Sequence, residues 1–215
     1  MAFDKRIDVF LNFSAEDIGK NFGAHLHRSL RRADIQTITG DVSRSDTLSS
    51  VQQSRISVVV FSKNYASSAQ ALDELVNIRE CSGTGGLVVL PVFYNFDRYS
   101  LMNQLETSKG EHELQQTGSM SRWRQALEEI SSMPGYDLYK FADRNEAACV
   151  RKFVETILSE LHIINSAMDR TLFLLLCPQL SIGMTSSLVF GVQIHVEVLQ
   201  VIYTRLFLGL EYVHS

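Results

Sequence analysis

Two adjacent acids, Asp73 and Glu74, stand in the stretch Ser62 to Ile78 (SKNYASSAQALDELVNI), directly behind the apolar run Ile56 to Phe61. A carboxylate placed where a buried strand gives way to a helix can face a cleft and stabilise positive charge on a reacting carbon. It can equally be an acid favoured in a helix's first turn, worth about 0.3–1 kcal/mol against the dipole and of no chemical use. Leu72, Leu75 and Val76 mark the apolar side of this helix, which puts Glu74 on the opposite side, pointing away from the core. That placement suits a solvated acid and a cleft residue alike. Other sets that do chemistry lack their parts. Ser82-Gly-Thr-Gly-Gly86 is without the Gly-Lys-Ser/Thr ending of a phosphate loop and leads from helix into strand, so it reads as a turn. Phosphoacceptor sheets want an aspartate at the end of the third strand, where this chain has Phe61-Ser62-Lys63. The six histidines include no HExxH or comparable pattern, so no metal site is expected.

The elements that must position these residues follow from periodicity. Ile7 to Phe13 is β-branched and aromatic and too short for a helix, and it reads as a buried strand. Ser14 to Asp17 reads as a loop with capping chemistry. Phe22, Leu26, Leu30 and Ala33 recur at helical spacing with Arg28, Arg31 and Arg32 on the other side, an amphipathic helix. Ile35 to Ile38 reads as a short strand broken by Thr39-Gly40-Asp41, and Val42 to Gln53 as at most a short helix. Ile56 to Phe61 and Leu87 to Phe93 are further strands, with a helix over Ala69 to Cys81 between them. Strand, helix, strand, helix, strand with apolar runs predicts βαβ units and a parallel sheet covered on both faces. Asp97 to Ser119 reads as irregular with one short helix, Arg122 to Ile130 as a helix, and Tyr136 to Leu138 as a last short strand. Glu146 to Leu161 closes the domain as an amphipathic helix.

The totals narrow the class. The chain of 215 residues is 45% hydrophobic and 20% charged, which fits one globular domain with an extension. A net charge of −4 gives no electrostatic case for nucleic acid. Cys81, Cys149 and Cys177 leave one thiol unpaired under any disulfide scheme, which favours a reduced intracellular setting. MAFDKRIDVF has no uninterrupted apolar core of a secretory signal. The expected domain covers 5–164, and 165–215 forms an apolar C-terminal extension. Thr171 to Val196 contains no Asp, Glu, Lys or Arg, a length that can span a bilayer, but Pro178, Gln179, Gly183 and Gln193 dilute it. A partner-dependent appendix is the expected reading, with a membrane span through 171–201 as the alternative.

IDVFLNFSAEDIGKNFGAHL resembles the opening of plant disease-resistance TIR (Toll/interleukin-1 receptor) domains, whose pattern is roughly (Y/H)DVFLSFRGEDTRxxFxSHL. SRISVVVFSKNYASS, LDELVNI and VLPVFYNFD resemble the family's later segments, and Trp123-Arg-Gln-Ala-Leu127 and Gly135-Tyr-Asp-Leu138 its WRxAL and GWDL signatures. These fall in order across roughly 7–162. The resemblance implies a flavodoxin-like fold of three layers, a five-stranded parallel sheet flanked by helices. It implies a truncated signalling protein of plant innate immunity, cytoplasmic with the nucleus as an alternative, because no GxxxxGK[ST] and hence no ATPase switch occurs. It further implies hydrolysis of NAD⁺, as substrate and not cofactor, at the nicotinamide–ribose bond. Glu74 falls on the family's catalytic glutamate, which a helix N-terminus would keep ionised. Ser14, Ala15, Gly40, Ser62, Lys63, Tyr65 and Gln70 would line the substrate pocket.

The chain departs from the pattern around that pocket. The family's Arg-Trp-Cys before Leu-Asp-Glu-Leu is Ala69-Gln70-Ala71, which removes a stacking surface for substrate. Its Phe-Arg-Gly reads Phe13-Ser14-Ala15, losing a cation and a glycine, and the loop between Ile38 and Ser54 is shorter. Of the DPSxVRxQTG segment only Asp97 and Gln104 remain. The family self-associates through its first and last helices around a Ser-His pair. Here Ala24 replaces the serine and His25 keeps the histidine, which as a residue alone reads equally as a surface histidine. The expected partners are other copies of the chain and other TIR-domain proteins. The alternative to an enzyme is an inactive adaptor or decoy that binds TIR domains through Phe22–Leu30 and Val150–Leu161.

Overall fold

Apolar runs too short for helices must be covered on both faces, and the computed structural model lays them side by side in a parallel sheet. It describes residues 7–40, 44–83, 86–95, 100–107, 119–138 and 145–176. In chain order these form β1 (Ile7–Phe13), α1 (Ala15–Ile18), a π-helical turn (Gly19–Gly23), α2 (Ala24–Arg32), β2 (Thr37–Thr39) and α3 (Arg44–Gln53). Then come β3 (Ser54–Phe61), a 3-10 turn (Tyr65–Ser67), α4 (Ala69–Gly83), β4 (Val88–Phe93) and α5 (Ser100–Thr107). The remaining elements are α6 (Ser119–Ser132), β5 (Tyr136–Asp137) and α7 (Glu146–Leu176). The chain divides into two compact units, Met1–Ile164 and Asn165–Ser215.

The five strands run β2-β1-β3-β4-β5, and every pair is parallel. This is the flavodoxin-like order, with helices on both faces as expected. Phe13 pairs with Val60 and Phe61 with Phe93, so β1, β3 and β4 end almost level. The chain leaves β1 toward β2 on one side while β3 lies on the other, which opens a crevice beyond their carboxyl ends.

Strand parity divides the core. Val9 and Leu11 of β1, with Val58 and Val60 of β3, pack under Leu26 and Leu30 of α2 and Val150, Phe153 and Ile157 of α7. Phe10, Val59 and Phe61 point the other way, into Leu72 and Leu75 of α4, Leu101 of α5, and Trp123 and Leu127 of α6. Gly135, ahead of β5, is confined by its neighbours: a Cβ there would lie 2.8 Å from the Pro91 carbonyl and 2.9 Å from the Phe93 ring.

The structure departs from sequence expectation in three helices. Residues 15–18 are helical rather than looped, with Ser14 ahead of them in extended conformation and its side chain making no cap bond. Val42 to Gln53 yields the ten-residue helix α3 despite weak amphipathicity, because Val51, Thr47 and Ser50 are buried and tertiary contact overrides the pattern. Helix α7 runs past the expected end at Leu161 to Leu176, since no glycine or proline intervenes before Pro178. No described helix is long and apolar enough to cross a membrane. Most of the 171–201 stretch, like Cys177 and Asp97, lies outside the described residues. Cys81 and Cys149 are free thiols.

Candidate active site

Asn12 is a fully buried polar residue of β1, and by parity it shares the face of Phe10, toward α4. Its amide must therefore be satisfied inside the protein. Helix α4 supplies the partners. Ser68 precedes it and caps it, its hydroxyl accepting from the Ala71 N–H at 3.3 Å and its carbonyl from the Leu72 N–H at 3.0 Å. Ala71, Glu74, Leu75 and Ile78 then recur at helical spacing and are all buried.

Glu74 therefore lies within the apolar stripe, not opposite it, and only 5% of its surface is exposed. The expectation that it points away from the core fails because Leu72 and Val76 lie at one border of that stripe, whose centre runs through Ala71 and Leu75. Glu74 is also the sixth residue of α4, past the first turn, so it lies beyond the reach of the helix N-terminus. Its carboxyl group meets side-chain amides instead. Asn12 Nδ2 donates to Glu74 Oε2 at 2.9 Å and to the Ala71 carbonyl at 3.1 Å. Gln70 Nε2 donates to Glu74 Oε1 at 3.1 Å and to the Gly40 carbonyl at 2.6 Å. Each amide nitrogen has two protons, and each spends one on the carboxylate.

The carboxylate rests where Gly40 has no side chain. A Cβ at Gly40 would fall 2.0 Å from Glu74 Oε2 and 2.2 Å from Oε1. Gly40 follows β2 and is held by its N–H donating to the Leu11 carbonyl at 3.3 Å. Beneath Asn12, the Tyr65 hydroxyl donates to Asn12 Oδ1 and packs edge-on against Phe61 at 4.9 Å between ring centroids. Burial, and then the negative charge of Glu74, push the Tyr65 phenol well above its ordinary pKa, while its bond to Asn12 pulls the other way.

Of the residues expected around the substrate, the structure brings Gly40 and Gln70 directly onto Glu74. Tyr65 is enclosed in the core with no exposed surface, and its role is to orient Asn12 rather than to face a ligand. Ser62 is buried at the carboxyl end of β3, and its hydroxyl has no hydrogen-bond partner. Ser14 is buried just past the end of β1, whereas Ala15 and Lys63 are exposed. The Lys63 carbonyl accepts from Gln104, one of the retained pattern residues. Asn12 escaped sequence reading; the signal available was an amide flanked by Leu11 and Phe13 in a buried strand, which demands buried partners.

The neighbouring acid has a different task. Asp73 Oδ1 accepts from Trp123 Nε1 at 2.9 Å, which ties α4 to α6. On the other face, His25 is exposed and its Nδ1 lies 2.9 Å from Glu146 Oε1, while Tyr94 donates to Glu146 Oε2 at 3.1 Å. One carboxylate thus joins α2, α7 and the residue after β4; Ala24 beside it is half-buried. Among the described residues there is no cluster able to hold a metal ion.

Sheet order and the helices on both faces define a flavodoxin-like domain, with Glu74 buried behind the strand ends. The TIR domain profile matches residues 7–172, and the chain belongs to that family. It is 36% identical over 167 residues to the protein SUPPRESSOR OF npr1-1, CONSTITUTIVE 1 of Arabidopsis thaliana, covering 72% of this chain and 11% of that protein. It is 38% identical over 164 residues to the disease resistance protein RPV1 of Vitis rotundifolia, covering 72% of this chain and 12% of that one. The chain therefore spans about a tenth of the length of these relatives. Among solved structures, the TIR domains of the activated Roq1 resistosome, which directly recognises the pathogen effector XopQ, superpose with a TM-score of 0.63 at 33% identity. That match covers 70% of this chain and 99% of the other.

Proposed function

We propose that this chain is a signalling protein of plant innate immunity that acts in the cytoplasm and hydrolyses NAD⁺ at the nicotinamide–ribose bond. The observation that carries this reading is the buried Glu74 carboxylate, met by two amide donors and seated over Gly40. In NAD⁺ the nicotinamide is cationic, so it departs neutral with the bonding electron pair and needs no general acid. The ribosyl cation left behind is stabilised by the ionised carboxylate. Water then adds to the anomeric carbon and loses a proton, giving ADP-ribose. Glycosidases use two carboxylates because their leaving oxygen must be protonated; one suffices here. Asn12, locked in the core, holds the carboxylate oriented at Oε2 while Gln70 swings off Oε1 to admit the ribose.

The test is nicotinamide release from NAD⁺ by the full chain, beside Glu74→Ala and Glu74→Gln. Both variants should lose roughly a hundredfold or more, as when a preorganised electrostatic group is removed. Release that is equal in all three would acquit Glu74, and none from the unsubstituted chain would end the enzyme reading.

A second reading has its own support. Gln70 stands in the place of the family's tryptophan and spans from Glu74 to the Gly40 carbonyl, across the approach to the carboxylate. An adaptor that binds other TIR domains through α2 and α7, with His25 at the contact, needs no open cleft. Sedimentation showing dimers that His25→Glu dissociates, together with no nicotinamide release, would favour it.

A further inference from the structure

We propose that Gln70 is a built-in competitor of the substrate: its side-chain amide takes the place of a ribose diol at Glu74 and so sets how tightly the cleft binds. This deepens the NAD⁺ reading and rests on its claim that Glu74 receives the ribose. Gln70 is the second residue of α4 and is exposed, yet its Nε2 turns inward to the Gly40 carbonyl at 2.6 Å and to Glu74 Oε1 at 3.1 Å. Among the described residues these are the side chain's two hydrogen bonds, and its own Oε1 accepts none. It is therefore held by one nitrogen and has water to turn to. Asn12 is bound at both ends of its amide and has no exposed surface, so only the outer donor can exchange with a ligand.

The places that Gln70 fills define what can replace it. The two protons of an amide stand roughly 120° apart, so arms of 2.6 and 3.1 Å put the two acceptors about 5 Å from each other. One is a carboxylate oxygen; the other is a main-chain carbonyl whose residue is fixed by the Gly40 N–H donating to the Leu11 carbonyl. Two hydroxyls on neighbouring carbons, each turning its proton outward, reach both acceptors, whereas a lone hydroxyl has one proton and serves one. A phosphate brings further acceptors and negative charge, which this pair of oxygens repels. The ligand that displaces Gln70 is therefore a ribosyl cis-diol. A site whose competent form is a minor fraction of the molecules binds more weakly by that fraction, and here the closed form is the one with Gln70 in place.

Carba-NAD⁺ has a methylene in place of the ring oxygen of the nicotinamide ribose, so it keeps both hydroxyls, cannot form the ribosyl cation, and reports binding without turnover. Titrated calorimetrically into the full chain, it should bind Gln70→Ala about tenfold or more tightly than the unsubstituted chain. The gain should persist in Gln70→Leu, which keeps the bulk and removes the donors. A side chain that merely shaped the cleft would give the opposite sign, since its loss would loosen the site and weaken binding. The same compound without its two ring hydroxyls should bind Gln70→Ala about tenfold or more weakly; no loss would refute the diol. Where nicotinamide release is measurable, KM for NAD⁺ should fall in Gln70→Ala by a factor like that in affinity, with kcat changing far less. Equal or weaker binding in Gln70→Ala, or no saturable binding to it, would overturn the proposal. A gain in Gln70→Ala with none in Gln70→Leu would make bulk the obstacle and refute the competing hydrogen bonds. Tighter binding in both variants with no nicotinamide release from any form would uphold the role of Gln70 and end the cleavage reading alone.

Discussion

Replacing Gly40 by alanine adds one methyl group at the point where the Glu74 carboxylate rests. The backbone at Gly40 is not in the left-handed region, so alanine brings no conformational strain of its own. The conflict is with one side chain. The new Cβ would stand 2.0 Å from Oε2, and ordinary contact begins near 3.4 Å, so the carboxylate must withdraw by about 1.4 Å. Its bonds to Asn12 at 2.9 Å and Gln70 at 3.1 Å do not survive that shift. Two hydrogen bonds to a charged group and an overpacked contact together put the cost at about 2–4 kcal/mol. Misplacing a reacting group by 1 Å costs about a hundredfold in rate.

Urea denaturation of Gly40→Ala, Glu74→Ala and the double variant measures the stability term, and nicotinamide release the chemical one. If the methyl group clashes only with the carboxylate, Gly40→Ala should cost less than about 1 kcal/mol once Glu74 is already alanine, a coupling of about 2 kcal/mol or more. Equal destabilisation in both backgrounds would refute the reasoning, because it would place the clash elsewhere. The cycle decides this whether or not the protein is an enzyme. Where nicotinamide release is measurable, a Gly40→Ala rate within twofold of the unsubstituted chain would refute the positional argument for the chemistry.

Tyr65→Phe should cost about 1–2 kcal/mol, since Asn12 Oδ1 loses its buried donor. The folded phenol is raised above its ordinary value of 10.0, so its stabilising effect is complete below pH 10 and declines as pH rises through the folded pKa. Alkaline unfolding followed at several pH values should therefore be less steep in Tyr65→Phe. Trp123→Phe removes the donor to Asp73 and should cost about 2–3 kcal/mol by urea denaturation with little effect on any cleavage rate. Asn12→Leu removes the donor to Glu74 Oε2 and the Oδ1 acceptor of the Tyr65 hydroxyl, which keeps only the longer 3.3 Å bond to the Ala71 carbonyl, and should cost about 2–4 kcal/mol with loss of nicotinamide release; a change under 1 kcal/mol would show that the network is not coupled.

The strands β1, β3 and β4 were readable because each run was rich in β-branched and aromatic residues and too short for a helix, and the parallel order followed from the helices between them. The side on which Glu74 lies was not. Leu72, Leu75 and Val76 gave an apolar direction, but the stripe through Ala71 and Leu75 takes in Glu74, and alanine weighs little in any periodicity. Nor does sequence alone show that Asn12 and Gln70, 58 residues apart in the chain, meet on opposite oxygens of one carboxylate. Helix α3, expected as at most a short helix, runs ten residues because its burial rests on Val51 and short polar residues, which carry little helical signature.

The substitutions that make this cleft unlike the family pattern bear directly on what Glu74 can do. Asn12 stands where the pattern has serine, and Gln70 where it has tryptophan. Both replacements are amides, and both turn an N–H toward the same carboxylate. An amide brings no charge of its own, so the two donors fix the orientation of the carboxyl group without pairing it to a cation. Asn12 is locked by Tyr65 and Ala71 as well, whereas Gln70 is exposed and anchored beyond the carboxylate only by the Gly40 carbonyl. The two donors are thus unequal: the inner one is built into the core, and the outer one can leave by rotating about its own side chain. A ribose reaching Glu74 would displace the outer amide at Oε1 and find the carboxylate still held at Oε2.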